Sequence, residues 1–164
     1  PDQWFWGDFG EVDGVVVNGG SGNSGKHVQI SAREITRLGL LFLNQGRWGD
    51  RQLISAAWVA QATRVQVPAS VPLGHPESGI NGPGMYGFNW WVNGVKPDGE
   101  RKWPDVPPGA FSASGHNNND MFVIPAWDMV VVRLGLDQGS DGEISDATYN
   151  AFLKRVGAAI KDTE

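Results

Sequence analysis

The residues of this 164-residue chain that most invite a chemical interpretation lie in the stretch FSASGHNNNDMFVIP, residues 111–125. His116 stands at the head of three consecutive asparagines, between a strand-like run of small residues and an apolar run. Two interpretations are open. Asparagine accepts left-handed backbone angles better than most residues, so the cluster is consistent with a plain hairpin turn. The alternative is that it forms the edge of a binding pocket.

The other candidate motifs carry less chemistry. Cysteine is absent, which excludes a thiol nucleophile and a cysteine-ligated metal. His27 and His75 have no carboxylate or second histidine at ligand spacing, so we expect no metal and no cofactor. The stretch GSGNSGKH, residues 20–27, nearly matches a phosphate-binding loop. Such loops work from the first turn of a helix, whereas the next helix here is predicted to begin only at Ser31, so we interpret the stretch as a flexible turn.

Length and composition bound the function classes. A chain of 164 residues suits one domain with a substantial core. The formal net charge is -5 with scattered acidic residues, which disfavours a nucleic-acid partner because such partners normally require a basic face. No stretch reaches the roughly 18 apolar residues of a membrane span. We therefore expect neither a nucleic-acid partner nor a membrane span.

The elements that must position the cluster follow from hydrophobic periodicity. Strands are predicted over residues 14–20, 27–31, 85–93, 110–114, 121–125 and 129–135. Only three residues separate the last two strands, so they are expected to pair as a hairpin. Helices are predicted to begin at Ser31, which heads a capping box, at Ser55 and at Ser145, the last ending near residue 162. The last helix is predicted to be amphipathic, with one face for the sheet formed by Tyr149, Phe152, Leu153, Val156 and Ile160. On the strand 85–93, Trp90 and Trp91 must face opposite sides. The order helix, helix, antiparallel strands, helix predicts an α+β fold in which an antiparallel sheet is flanked by helices.

Three stretches together resemble a known family: SAREITRLGLLFLNQGRWGDRQLISAAWVAQAT (31–63), YGFNWWVN (86–93) and GAFSASGHNNNDMFVIPAWDMVVVRLG (109–135). They are similar to the C-terminal part of the serine β-lactamase and penicillin-binding-protein family, with the class C β-lactamase-like esterases and amide hydrolases as the best-matching branch. The resemblance covers about two-thirds of the chain and keeps the order and spacing of the family. It implies a two-lobed fold with a serine nucleophile between the lobes.

Two motifs that the resemblance implies are absent. The family's nucleophile belongs to Ser-x-x-Lys, and a Tyr-x-Asn motif assists it. No lysine of this chain has a serine three positions earlier, and neither Tyr86 nor Tyr149 has an asparagine two positions later. We therefore expect residues 1–164 to be a single partial domain, the C-terminal segment of a periplasmic or secreted hydrolase. Its expected partners are the missing N-terminal half or a second copy, and alone it should not catalyse.

The resemblance gives the opening cluster a role. The family's third motif, Lys-[Ser/Thr]-Gly, lies on the strand at the edge of the active site, and the residue after its glycine donates a backbone amide to the oxyanion hole. Ala113-Ser114-Gly115-His116 matches it, with Ser114 and Gly115 beside the substrate and the His116 amide as the donor. Asn117, Asn118 and Asn119 would form the adjacent turn, with Asn117 and Asn118 beside the substrate.

The departure from the motif bears on the substrate. The motif's lysine, which helps to hold a substrate carboxylate, is replaced by Ala113, and this favours a small-molecule ester or amide over a β-lactam. A second register, with His116 at the lysine and Asn118 at the glycine, preserves less of the motif. In neither register do we assign His116 as a general base.

Two functions from other classes stay open. The eight tryptophans would suit a glycan or cell-wall binding module without catalysis, and a family member that has lost its nucleophile would serve as a scaffold. The upstream sequence separates these possibilities, because an intact Ser-x-x-Lys favours the hydrolase.

Overall fold

The structure is a computed structural model that describes residues 4–6, 10–12, 15–17, 28–72, 82–115, 118–135 and 144–160. Its strands are β1 Trp4–Trp6, β2 Gly10–Val12, β3 Val15–Val17, β4 Val28–Ile30, β5 Arg47–Trp48, β6 Arg51–Gln52, β7 Trp91–Val92, β8 Phe111–Gly115, β9 Asn119–Ile124 and β10 Met129–Arg133. Its helices are α1 Ala32–Leu43, α2 Ala56–Ala62 and α3 Asp146–Ala158. The architecture is α+β, as the periodicity predicts.

All three helices begin where the sequence predicts, because a serine caps each one. The hydroxyl oxygens of Ser31, Ser55 and Ser145 each accept a hydrogen bond from the backbone amide three residues later, at 3.1–3.2 Å. Such a bond satisfies one of the amides that lack a partner within the first turn of a helix. Helix starts are therefore fixed locally in this chain.

The main sheet is antiparallel with strand order β10-β9-β8-β7, and the predicted β9–β10 hairpin is confirmed. Strand β9 is the buried centre, and its side chains alternate between two clusters. Met121 and Val123 face α1, whereas Phe122 and Ile124 face α3. The remaining strands form small two-stranded sheets: β1 with β4, β2 with β3, and β5 with β6. Strands β1 and β2 were not predicted, since their sequence shows no clear alternation.

The predicted strand over residues 85–93 is wrong for most of its length. Only Trp91 and Val92 belong to the sheet, while Tyr86 folds back to form an isolated bridge with Trp91. The reversal depends on Asn89, whose φ of 59° lies in the left-handed region. Trp90 and Trp91 nevertheless face opposite sides as expected, since Trp90 packs in the α1-side cluster and Trp91 against the α3-side cluster.

A fully buried side chain, Asn93, organises the loop between β7 and β8. Its Nδ2 donates to the carbonyl oxygens of Trp103 and Val106, both at 2.9 Å, and of Pro107 at 3.2 Å. Its Oδ1 accepts from the backbone amide of Trp103 at 2.8 Å. The side-chain amide of Asn93 therefore provides hydrogen-bond partners for backbone groups of a loop that belongs to no helix or strand. It also holds Trp103 against Phe122 in the core.

Helix α3 docks on this loop through charged and polar side chains. Lys102 binds Asp146 at 2.5 Å and lies over the rings of Trp91 and Trp103. Asp105 accepts hydrogen bonds from Asn150 and Lys154 of α3, and these bonds hold the pKa of Asp105 below its usual value. The loop and α3 therefore form one layer over the sheet.

Several sequence predictions lie outside the described residues. They are the near-match to a phosphate-binding loop at residues 20–27, which includes His27, and His75. Among the residues that the structure describes, no helix has the length and apolar character needed to cross a membrane.

The Asn93 amide leads to the first prediction. Replacing Asn93 with Ala leaves a buried N–H and three carbonyls without this partner, so the free energy of unfolding should fall by about 3 kcal/mol or more. Asn93→Asp should cost at least as much, because a carboxylate oxygen would face three carbonyl oxygens. Urea unfolding followed by tryptophan fluorescence measures both, with Asn44→Ala at an exposed helix end as the control. A loss no larger than that of the control would contradict the role assigned to Asn93.

Candidate functional site

The structure places part of the predicted site at one end of β8. Ser114 and Gly115 are the last two residues of this strand, and both are exposed. Asn118 follows just before β9 and is largely buried, with φ of 50°. His116 and Asn117 lie outside the described residues. The described members of the predicted site therefore come together at one strand end.

The pairing of β8 differs between its two sides. On one side every residue from Phe111 to Gly115 pairs with β9, so that Ser114 lies opposite Asp120 and Gly115 opposite Asn119. On the other side β7 pairs only with Phe111 and Ser112. Within the described part of the chain, no strand adjoins residues 113–115 on the β7 side. Backbone groups on that side are thus placed to meet a ligand.

The side chains of β8 near this end point to different faces. Ser112 is fully buried, and its hydroxyl oxygen lies 3.2 Å from that of exposed Ser114. Ala113 points the other way and packs against the α1-side cluster. The Ser114 hydroxyl can therefore donate to a ligand while it accepts from Ser112.

The asparagines next to β8 hold the polypeptide in place. Arg133 donates to the carbonyl oxygen of Asn118 at 2.6 Å, and the side-chain oxygen of Asn118 accepts from the amide of Ile144 at 2.7 Å. The side-chain oxygen of Asn119 accepts from the amide of Gly135 at 2.9 Å. Asn118, with its positive φ, lies in the turn as predicted, whereas Asn119 was predicted in the turn but is the first residue of β9, paired with Gly115. A substrate-binding role for Asn117 or Asn118 stays a prediction.

A buried hydrogen bond that sequence reasoning missed lies behind the same strand end. The phenol of Tyr149 in α3 donates to the carboxylate of Asp120, which is buried opposite Ser114. Tyr149 was expected only as part of an apolar helix face. The available signal was Asp120 itself, a charged residue at the start of an apolar strand. Such a residue requires a polar partner when it is buried.

An exposed aromatic pair lies near the same end of the sheet. The rings of Trp58 and Phe88 stack with centroids 5.6 Å apart and planes 22° from parallel. Both side chains are exposed. Because Trp91 pairs with Ser112 in antiparallel register, the turn containing Phe88 lies beyond β7 on the side of Ser114. Within the described residues, no group of three or more His, Asp or Glu is arranged to hold a metal ion.

Comparisons with known proteins find matches among solved structures. No protein-family model and no curated protein matches the chain. One solved structure that it resembles is described as a "putative beta-lactamase" from Bacteroides dorei, with 18% sequence identity and a TM-score of 0.49. The match covers 83% of this chain and 41% of the other, so this chain spans less than half the length of that protein.

The Tyr149–Asp120 bond leads to the second prediction. Tyr149→Phe removes a donor from a buried carboxylate, so the free energy of unfolding should fall by about 1–3 kcal/mol. Asp120→Asn keeps an acceptor for the phenol and should cost less. Urea unfolding of the two variants and the parent tests this order. Equal stability of Tyr149→Phe and the parent would show that the bond does not anchor α3.

Proposed function

We propose that this chain is the C-terminal segment of a serine hydrolase of the β-lactamase-like family, in its class C-like esterase or amidase branch. The segment supplies the oxyanion side of the active site, and the N-terminal half of the protein supplies the nucleophile. The observation that carries the proposal is the end of β8, where Ser114 and Gly115 match the third motif of the family at a strand side without a described neighbour. By the same resemblance, we propose a periplasmic or secreted location.

The proposed chemistry is acyl transfer through an acyl-enzyme. Attack on an ester or amide carbonyl places negative charge on its oxygen, and a fixed N–H donor stabilises that charge in the transition state. The amide of His116, directly after Gly115, is the proposed donor. Ser114, whose hydroxyl oxygen lies 3.2 Å from that of Ser112, is the side chain proposed to contact the substrate. The pairing of β8 with β9 extends through Gly115, the residue directly before the proposed donor.

The two registers of the motif draw on different observations. The first keeps serine and glycine within β8, with the His116 amide as donor. The second places Asn118 at the motif's glycine, and the φ of 50° at Asn118 is a conformation that favours glycine. In that register the His116 imidazole stands in place of the lysine. Variants of His116 separate the two.

The substrate class follows from Ala113. Its side chain packs against the α1-side cluster, so a lysine in its place would extend into apolar surroundings. In the first register the motif's cation is therefore missing at this position. We propose that substrates are esters or amides without a carboxylate that must be neutralised.

A second function is favoured by the exposed pair of Trp58 and Phe88. Exposed aromatic rings suit the apolar faces of sugar rings, and this would make the chain a glycan or cell-wall binding module. Binding of a peptidoglycan fragment that is lost in Trp58→Ala, in a protein without ester turnover, would favour this function over the hydrolase.

The substrate proposal gives the third prediction. A full-length protein that joins this segment to a half with Ser-x-x-Lys should hydrolyse short acyl nitrophenyl esters with a kcat/KM well above that for a chromogenic cephalosporin. The 164-residue chain alone should hydrolyse neither substrate, which makes it the control. Efficient cephalosporin turnover by the full-length protein would overturn the substrate class while leaving the serine mechanism in place.

The donor assignment gives the fourth prediction. In the full-length enzyme, His116→Pro deletes the N–H and should lower kcat by about a hundredfold or more. His116→Ala should have little effect, since it keeps the backbone donor. Thermal unfolding and labelling by a serine-directed phosphonate must first match the parent. If His116→Ala is as damaging as His116→Pro, the imidazole acts directly and the second register is correct.

A further inference from the structure

The connection between β8 and β9 is held from the end of β10. Gly115 and Asn119 are paired across the first two strands, so residues 116–118 link them. The Nη1 of Arg133, the last residue of β10, donates to the backbone carbonyl oxygen of Asn118 at 2.6 Å. A hydrogen bond from a guanidinium is charge-assisted and stronger than one between neutral groups. The end of the connection is therefore fixed to β10.

The acceptor distinguishes this bond from its neighbours. The backbone amides of Gly135 and Ile144 donate to side-chain oxygens, those of Asn119 and Asn118. Such bonds hold side chains, which can change rotamer without moving the backbone. Arg133 instead holds a peptide group. Because a peptide group is planar, the direction of its carbonyl also fixes the direction of its N–H.

The backbone of Asn118 needs such support. Its φ of 50° lies in the left-handed region, where residues other than glycine are uncommon. Asparagine tolerates this region better than most residues, but the right-handed and extended conformations stay lower in energy. A residue persists in such a conformation where the surrounding structure holds it. The bond from Arg133 therefore stabilises a conformation that the residue alone does not favour.

The sheet itself sets the position of Arg133. Arg133 lies directly opposite Asp120 in the β9–β10 register, and Asp120 lies opposite Ser114 in the β8–β9 register. Directly opposed residues share one face of a sheet, so these three side chains lie on the α3 face. Asp120 is buried and accepts from the phenol of Tyr149 in α3. Arg133 is half-buried and lies at the level of the candidate site, two strands from Ser114.

We propose that Arg133 is a positioning residue for the oxyanion side of the active site, which rests on the proposed hydrolase function. By holding the Asn118 carbonyl, Arg133 fixes the connection to which the oxyanion donor belongs. Both registers of the motif require this role. In the first, the donor His116 belongs to the held connection. In the second, the residue after the motif's glycine is Asn119, and its N–H belongs to the same planar peptide group as the Asn118 carbonyl.

Kinetics of the full-length enzyme test the role of Arg133. A misplaced donor weakens stabilisation of the transition state and leaves substrate binding largely intact. Arg133→Ala should therefore lower kcat for a short acyl nitrophenyl ester by about tenfold or more, with KM changed by less than about twofold. Arg133→Lys, which keeps a cationic donor, should recover part of the loss. The affinity for an acyl trifluoromethyl ketone, whose serine adduct carries a negative oxygen, should fall in parallel with kcat.

Arg101 provides a matched control. It is half-buried like Arg133, and its guanidinium also donates to a backbone carbonyl, that of Asn93 at 2.9 Å. Arg101→Ala therefore loses a comparable bond, but its kcat should stay within about twofold of the parent. Thermal unfolding compares the stability of the two variants. If Arg133→Ala does not fold, Arg133→Lys is compared with Arg101→Lys, and Arg133→Lys should have the lower kcat.

Two results in an enzyme that hydrolyses the ester would overturn the role of Arg133 alone. They are equal kcat values in the matched Arg133 and Arg101 variants, and a rise in KM with kcat unchanged. A full-length protein that neither hydrolyses the ester nor reacts with a serine-directed phosphonate would overturn the proposed function, and the role of Arg133 with it.

Discussion

The side-chain amide of Asn93 is the interaction on which the α3 face of this protein depends. Trp103 and Val106, in the loop between β7 and β8, are buried in the core. Their backbone polar groups are therefore removed from water, and no strand or helix provides hydrogen-bond partners for them. Asn93 supplies that pairing from a side chain with no exposed surface. Because the loop is held, Trp103 packs edge-on against Phe122, and α3 has a surface on which to dock. A buried polar group therefore determines how an apolar core is assembled.

A second constraint is the close approach of both helices to the sheet region. A Cβ on Gly39 of α1 would lie 2.5 Å from a methyl carbon of Val130, and a Cβ on Gly157 of α3 would lie 2.6 Å from the ring of Trp127. A glycine inside a helix costs about 1 kcal/mol in propensity relative to alanine. Close packing offsets that cost here, and it holds α1 over β9 and β10 and α3 against the turn between these strands.

Sequence reasoning succeeded where the determining contacts are local. The serine caps use an amide three residues away, and the β9–β10 hairpin follows from two apolar runs that are separated by only three residues. It failed where the partners are distant. The partners of Asn93 lie 10 to 14 residues along the chain, and Tyr149 is 29 residues from Asp120. Helical spacing alone also assigned Phe152 to the buried face, although half of its surface is exposed, because spacing does not reveal where the sheet ends.

In this chain, the stretch Ala113-Ser114-Gly115-His116 identifies the location of the candidate site better than it identifies the role of each residue. The position of the β8 end is set by its pairing with β9 and by the bond from Arg133 to the Asn118 carbonyl. None of these contacts depends on which side chain stands at position 116. A peptide N–H at such a position works equally well from most residue types, so selection on a backbone donor leaves only a weak trace in residue identity. An imidazole in the same position would instead be specific to histidine. Strand pairing and the sequence resemblance together therefore identify the end of β8 as the candidate site. The residue type at position 116 does not decide whether its backbone N–H or its side chain takes part in the chemistry.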